Sequence, residues 1–300
     1  VLGSFWKGLR INRTWKPDLI HVHFAVPAGA STWALSNVTK VPYVLTAHLG
    51  DVPGGAPEKT GRWFRWVYPF TPPIWKSAAG VVAVSEYTRQ LALEHYPVDI
   101  QVIHNGFDLQ DLKPEEIKVS KPPRIVWAGR FVPDKNPMQV VRTLTKLRDL
   151  GWSCVMLGDG PIRTQVEEEI NRQGLCDRIN LPGWMSQEEV MAWFARSDVL
   201  FMPSFTEGLP IVGLQALVLG LAIVATRVGG FMELVEPERN GYLVNDAAGN
   251  GFSGPLREML TDPEKLLSFR KASIEIAGQF DIRRIVQSYD NLFQETLEEK

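Results

Sequence analysis

Residues 198–226 read DVLFMPSFTEGLPIVGLQALVLGLAIVAT, and the way this apolar stretch divides decides the fold. From Leu209 to Thr226 it is long enough to cross a bilayer as one helix. Pro210, Gly213, Gln215 and Gly220 interrupt it, however, and its end, AIVAT, is rich in β-formers. A helix started by Pro210, stopped at Gly220 and followed by a buried strand accounts for the pattern better. With DVLFMP as a preceding strand, the stretch becomes a strand–loop–helix–strand unit of a parallel sheet.

The same alternation runs along the chain. One set of strand candidates is DLIHVHF (18–24), PYVLTA (42–47), GVVAVS (80–85) and QVIHN (101–105). A second is RIVWAG (124–129), SCVMLG (153–158), RINLPG (178–183), DVLFMP (198–203), AIVAT (222–226) and GYLV (241–244). Most are continuous apolar runs, as parallel strands covered on both faces by helices require. NPMQVVRTLTKLRDLG (136–151), PIRTQVEEEINRQG (161–174) and QEEVMAWFARS (187–197) are helix-length segments between them. The polar stretch QDLKPEEIKVSKPP (110–123) reads as an interdomain linker. The expectation is therefore a doubly wound α/β chain, with a first domain over 1–115 and a second over 116–280. An amphipathic helix, IRRIVQSYDNLFQETLEE, fills 281–300. The first set has fewer strands than the second and opens on a helix-like segment, so the first domain is expected to be incomplete, lacking its first strands.

Three hundred residues suit two compact domains, and 45% hydrophobic with 22% charged residues is a globular composition. A net charge of −2 gives no global reason to expect a nucleic-acid partner, so any phosphate site must be local. Cys154 and Cys176 lack CxxC spacing and a companion histidine cluster, and read as buried free thiols in a reducing compartment. No secretory signal is legible.

Four clusters carry candidate chemistry. In AGRFVPDKNPM, a strand ends at Gly129 and a helix is expected to start at Asn136-Pro137, as N-cap and first helical residue. Arg130 and Lys135 at that strand end would make an anion site for a diphosphate, or else lie solvated on a loop. In PSFTEGLPIVGLQAL, Glu207, Gly208 and Pro210 lie where open α/β sheets bind ligands. Gln215 follows on the helix and could reach a polar ligand group; Glu207 would otherwise simply cap that helix. In LTAHLGDVPGG, His48 and Asp51 follow a strand, where a histidine could hydrogen-bond a substrate hydroxyl. His21 and His23 share one strand face and read as packed, hydrogen-bonded residues rather than metal ligands. The aromatic-basic run KTGRWFRWVYPFTPPIW (59–75) could face a membrane, line an acceptor groove or crowd a core. GDGPIR (158–163) is an incomplete dinucleotide pattern.

In this order the pieces resemble family 4 retaining glycosyltransferases of the GT-B fold. The matching strings are VVAVSEYTRQ, VIHNGFD, AGRFVPDKNP, GDGP, LPGW, SDVLFMPSFTEGLP, ATRVGGFMELV and NGYLV, spread over 18–245. The resemblance implies two Rossmann-like domains facing a cleft and a hexosyl transfer that retains configuration and needs no metal or cofactor beyond the nucleoside-diphosphate sugar donor. Arg130 and Lys135 would neutralise the diphosphate. Glu207 would bind the donor sugar, aided by Gly208 and by backbone amides near Leu209 and Pro210. His48 would reach the sugar from the first domain, and Gly229 and Gly230 would turn beside the donor. The family's Glu-x7-Glu pair ends here in Gln215, which would hold the ribose less tightly. The last helix would return to the first domain. HFAVPAG and AHLGD look most like exopolysaccharide or lipopolysaccharide assembly enzymes, N-terminally truncated here, which implies a saccharide or lipid-linked acceptor. Such an enzyme would be cytoplasmic, with peripheral contact at the inner face of the membrane. Gln215 and the missing strands also leave open a non-catalytic sugar-nucleotide-binding protein or subunit, and the shared donor site an epimerase that needs no acceptor.

Overall fold

In the computed structural model, which describes residues 2–55, 66–109 and 116–298, the chain divides into two units. Val1–Asn105 with Arg283–Lys300 form one, and Gly106–Ile282 the other.

The first unit holds β1 (Ile20–His23), β2 (Tyr43–Ala47), β3 (Gly80–Ala83) and β4 (Gln101–Val102). They are all parallel and lie side by side in chain order. Alternate residues of β2 serve two faces, which is why its sequence is apolar throughout. Tyr43, Leu45 and Ala47 pack with Trp75, Val81 and Tyr96 on one side. Val44, with Val82 and Ile103, meets Ile285, Leu292 and Phe293 of the helix Ile282–Glu298 on the other. Ser85 caps the helix Glu86–Leu93, its hydroxyl accepting from Thr88 N at 3.1 Å.

The second unit holds β5 (Arg124–Ala128), β6 (Ser153–Leu157), β7 (Ile179–Gly183), β8 (Val199–Met202), β9 (Ala222–Thr226) and β10 (Gly241–Val244). All its pairs are parallel, in the order β10-β9-β8-β5-β6-β7. The chain winds outward from β5 through β6 to β7, then returns beside β5 and winds the other way. The reversal falls between β5 and β8, and ligands of such sheets bind beyond the strand C-termini at that point.

All ten strand candidates form strands, eight of them shortened at their ends and AIVAT and GYLV in full. The stretch 209–226 divides into the helix Ile211–Val218 and β9, with Gly220 between them at φ +64°. Among the described residues no helix is long and apolar enough to cross a membrane. The thiol expectation needs correction: Cys154 on β6 is buried, but Cys176 is exposed, its thiol donating to Asn171 Oδ1 at 2.8 Å. Cys176 precedes β7 on a surface turn, and spacing alone carries no burial signal for it. Part of the linker candidate, 110–115, lies outside the described residues.

Opposite the strand C-termini, one buried ion pair ties the second unit together. Asp198 accepts from Arg124 N (2.7 Å), from Ser120 N (3.1 Å) and from the Arg270 guanidinium. Arg270 also donates to Gly220 O (2.7 Å) and Lys118 O (2.6 Å). Both side chains are almost wholly buried, and burial holds the Arg270 pKa below its usual value. A buried pair with its polar atoms engaged is tolerated, whereas one charge left alone is not. Arg270→Ala is therefore expected to cost about 3–5 kcal/mol, read as a lower urea midpoint at unchanged m-value.

Candidate functional site

Two loops leave the adjacent C-terminal ends of β5 and β8. The first passes through Gly129 and Arg130 into the single turn Pro133–Lys135, and the second runs from Pro203 to Pro210. They are joined pair by pair. Phe205 N donates to Asp134 O at 2.8 Å, and the Thr206 hydroxyl to the Asp134 carboxylate at 2.9 and 3.0 Å. Lys135 Nζ donates to Glu207 Oε1 at 2.7 Å. Glu207 is 6% exposed and Lys135 27%, so this ion pair lies at the mouth of the crevice rather than in bulk solvent.

Asn136 corrects one expectation. It holds the N-cap position before Pro137 but in left-handed geometry (φ 50°, ψ 47°), and its side chain caps nothing. Its amide nitrogen instead donates to Pro203 O (3.1 Å) and Ala247 O (2.8 Å), fastening the β5 loop to two others. Asparagine tolerates this backbone better than most residues. Glu207 likewise is no helix cap: Pro210 occupies that position for Ile211–Val218, and no side chain caps the helix. Its first amides are free of that competition at the crevice.

The glycines shape the floor. Gly158 has φ +125°, and a Cβ there would lie 2.0 Å from Gly129 O. Gly129 N bonds Leu157 O at 3.0 Å and Phe131 N bonds Asp159 O at 2.9 Å, so GDGP braces the Arg130 loop. Gly229 has φ +53°, and a Cβ there would lie 1.6 Å from Glu207 O. Gly230 N donates to Gly208 O at 2.5 Å, seating that turn on the Glu207 loop. Arg130 is exposed, and no hydrogen bond or ion pair engages its guanidinium among the described residues. Gln215 and Leu209 are buried beside these loops. Two further hydroxyls, Ser204 Oγ just past β8 and Thr226 Oγ1 at the end of β9, are buried without a partner among the described residues. Asp134, Thr206 and these hydroxyls escaped sequence reading, and Asn136 reads in sequence only as a helix cap.

In the first unit, His48 follows β2 and is gripped on several sides. Its backbone N–H donates to Asp51 Oδ2 (2.9 Å), and Asp51 Oδ1 accepts from Ala25 N (2.9 Å). The Phe24 ring stacks on its imidazole, with centroids 4.4 Å apart. Its Nε2 shares a hydrogen bond with His23 Nδ1 at 3.2 Å. His21 Nε2 bonds Thr46 Oγ1 (2.9 Å), which also meets the Tyr289 hydroxyl (2.9 Å). Burial, with His23 nearby, lowers the His21 pKa to about 4. No group of three or more His, Cys, Asp or Glu among the described residues is arranged to hold a metal. Of the aromatic-basic run, 59–65 lies outside the described residues. Trp75 is buried and stacks on Tyr96 at 4.2 Å, while Trp66 and Phe70 are exposed.

Thus Gly129, Arg130, Lys135, Glu207, Gly208, Leu209 and Pro210 lie in the two loops at the point of reversal, Gly229 and Gly230 in the turn after β9 seated on the second of them, and Gln215 buried on the helix that follows it. His48 lies at the C-terminal end of a strand of the first. The profile of the glycosyl transferases group 1 matches residues 109–276, and that of glycosyltransferase family 4 matches residues 1–111. The chain belongs to the glycosyl transferases of group 1 and is a glycosyltransferase of the GT-B fold. It is 26% identical over 279 residues to an uncharacterized glycosyltransferase of Methanocaldococcus jannaschii, covering 93% of this chain and 75% of that one. It is also 26% identical to the 2-deoxystreptamine glucosyltransferase of Streptomyces kanamyceticus, over 91% of this chain and 76% of the relative. Among solved structures it superposes on Anabaena HepE in complex with UDP with a TM-score of 0.84 at 20% identity, over 98% of this chain and 82% of HepE.

Gly229→Ala is expected to break the seating of the Glu207 loop, costing about 1–3 kcal/mol in strain, measured by urea denaturation. A pH effect follows from Asp51, whose carboxyl burial pushes up from 3.8 to about 6. The folded unit binds that proton more tightly, so this contribution to stability is complete below about pH 4 and lost as pH rises to about 6, about 3 kcal/mol in all. Asp51→Asn should remove that component from the pH dependence of Tm.

Proposed function

We propose that the protein is a retaining, metal-independent glycosyltransferase that moves a hexosyl group from a nucleoside-diphosphate sugar to a saccharide or lipid-linked saccharide. Its place is cell-surface polysaccharide synthesis in the cytoplasm, with peripheral contact at the inner membrane face. The observation that carries this reading is the Lys135–Glu207 pair at the sheet's reversal, beside the exposed Arg130. Two cations at one strand end suit a diphosphate, whose charge grows as the bond to the sugar breaks. On donor binding, Lys135 exchanges a Glu207 oxygen for a phosphate oxygen, which leaves the carboxylate to accept from sugar hydroxyls. The acceptor hydroxyl then attacks from the side of the departing phosphate, and its proton passes to the leaving group. Gln215 offers an amide to the ribose diol, and His48 an imidazole to a sugar hydroxyl. The UDP held by HepE makes uridine the first base to try.

A thermal-shift panel of UDP-, GDP- and ADP-sugars should show stabilisation by one nucleotide class. Lys135→Ala should weaken that donor roughly ten- to a hundredfold, the worth of a charged hydrogen bond; unchanged affinity in a folded variant overturns the reading. Gln215, neutral where the family has a carboxylate, favours a second reading, a non-catalytic donor-binding protein. Sugar transfer that persists in the presence of a chelator excludes it.

A further inference from the structure

At the N-terminal ends of β5, β6 and β7 the second unit holds a cavity of about 350 Å³. Arg124, Arg178, Arg196, Asp177, Trp193 and Cys176 are among the residues that line it. Arg178 is fixed in place. Its guanidinium lies over the Trp152 ring, 3.6 Å from the centroid, and donates to the carbonyls of Arg148 (3.1 Å), Leu150 (2.5 Å) and Trp152 (3.2 and 3.3 Å). Those acceptors are neutral, and burial lowers the Arg178 pKa below its usual value. Arg124 donates to Arg196 O at 3.4 Å, and the Arg196 guanidinium lies 5.6 Å from the Trp193 ring. None of the three arginines pairs with a carboxylate among the described residues, and Asp177 is the one carboxylate there that lines the cavity. A half-buried cation without a counterion is costly, and a bound anion supplies one. The carbonyls that close the helix Gln187–Phe194 would oppose an anion, but they are engaged. Trp193 O accepts from Arg196 N (3.2 Å) and Ser197 Oγ (2.8 Å), and Phe194 O from Ser197 N (2.9 Å).

We propose that this cavity is a second anion site, which takes a small phosphomonoester of a sugar. The site is separate from the loops at the sheet's reversal. β5 begins at Arg124 in this cavity and ends at Ala128 beside the Arg130 loop, so the two lie at opposite ends of one strand. Guanidinium forks match phosphate oxygens, and a phosphomonoester carries nearly two negative charges near neutral pH. Three cations against one carboxylate suit that dianion better than a single carboxylate ligand. The volume is at the low end for small-molecule pockets, which suits one sugar ring with its phosphate and not a nucleoside-diphosphate sugar. Trp193 offers the ring a flat apolar wall.

Cys176 gives a readout local to the cavity, since its thiol is exposed while Cys154 is buried, and burial pushes the Cys154 thiol up. Alkylation of Cys176 by uncharged iodoacetamide, with glucose 6-phosphate at about ten times its Kd, should slow roughly tenfold. Glucose, or sodium chloride at matched ionic strength, should leave the rate unchanged. Replacing Arg124 and Arg196 together by Gln should raise the half-protecting concentration roughly a hundredfold, about tenfold for each charged contact. An unchanged urea midpoint shows that this variant is folded. R196Q alone, whose side chain meets only the Trp193 ring, should raise that concentration roughly tenfold if the double variant does not fold. Lys135→Ala removes a competing phosphate contact at the other end of the sheet and should leave the protection intact. Absence of protection in the wild type overturns the site. So does equal protection by glucose or by salt, or protection unaltered in a folded arginine variant. None of these outcomes bears on the donor reading, which nucleotide-sugar affinity tests separately.

Discussion

Lys135 and Glu207 are 72 positions apart in sequence and 2.7 Å apart in space, and the arrangement of the second unit's site hangs on that meeting. Glu207 is nearly buried, and a carboxylate in that position without a cation would be costly. The cation reaches it only because β5 and β8 are neighbours, and they are neighbours because the chain reverses its winding there. Topology, rather than local sequence, brings the charges together. The surrounding bonds hold the pair in register: Asp134 with Phe205 and Thr206 on one side, Asn136 with Pro203 on the other.

The loops can sit this close only where side chains are missing. Gly158 faces the Gly129 carbonyl and Gly229 the Glu207 carbonyl, each at a distance no Cβ could occupy. The glycines therefore set how far backbone is packed on backbone, and so where Arg130 and Glu207 are aimed. This gives GDGP a structural meaning. The string looks like a phosphate-binding fragment, yet its glycines face the neighbouring loop.

The strands were legible because parallel strands covered on both faces leave continuous apolar runs, and because Pro210 and Gly220 punctuate the longest of them. The place of the candidate residues was legible: Arg130, Lys135 and Glu207 all follow strand ends, where ligands of such sheets bind. Partnerships were not legible. Asn136 carries the signature of a helix cap, and nothing local reveals that its amide serves carbonyls at Pro203 and Ala247. Glu207 likewise reads in sequence as a cap candidate, and only the long-range contact with Lys135 shows its employment. Cys176 illustrates the same limit for burial, since two cysteines of similar spacing context differ by the accident of strand versus turn.

The first unit works by a different constraint. Its strands lie in chain order, so no reversal among the described residues opens a crevice, and its candidate group is instead fixed by immediate neighbours. His48 is stacked on Phe24, bonded through its backbone to Asp51 and bonded through Nε2 to His23. A hydrogen bond between two imidazole nitrogens requires that one carry a proton and the other not. One proton therefore lies between the two nitrogens, and a second one there would set N–H against N–H at 3.2 Å. Burial lowers the pKa of His23 below its usual value. An imidazole held by stacking and by that bond presents its remaining nitrogen in one fixed orientation. The second unit thus holds its charged pair by topology, and the first unit holds its ring by immediate neighbours.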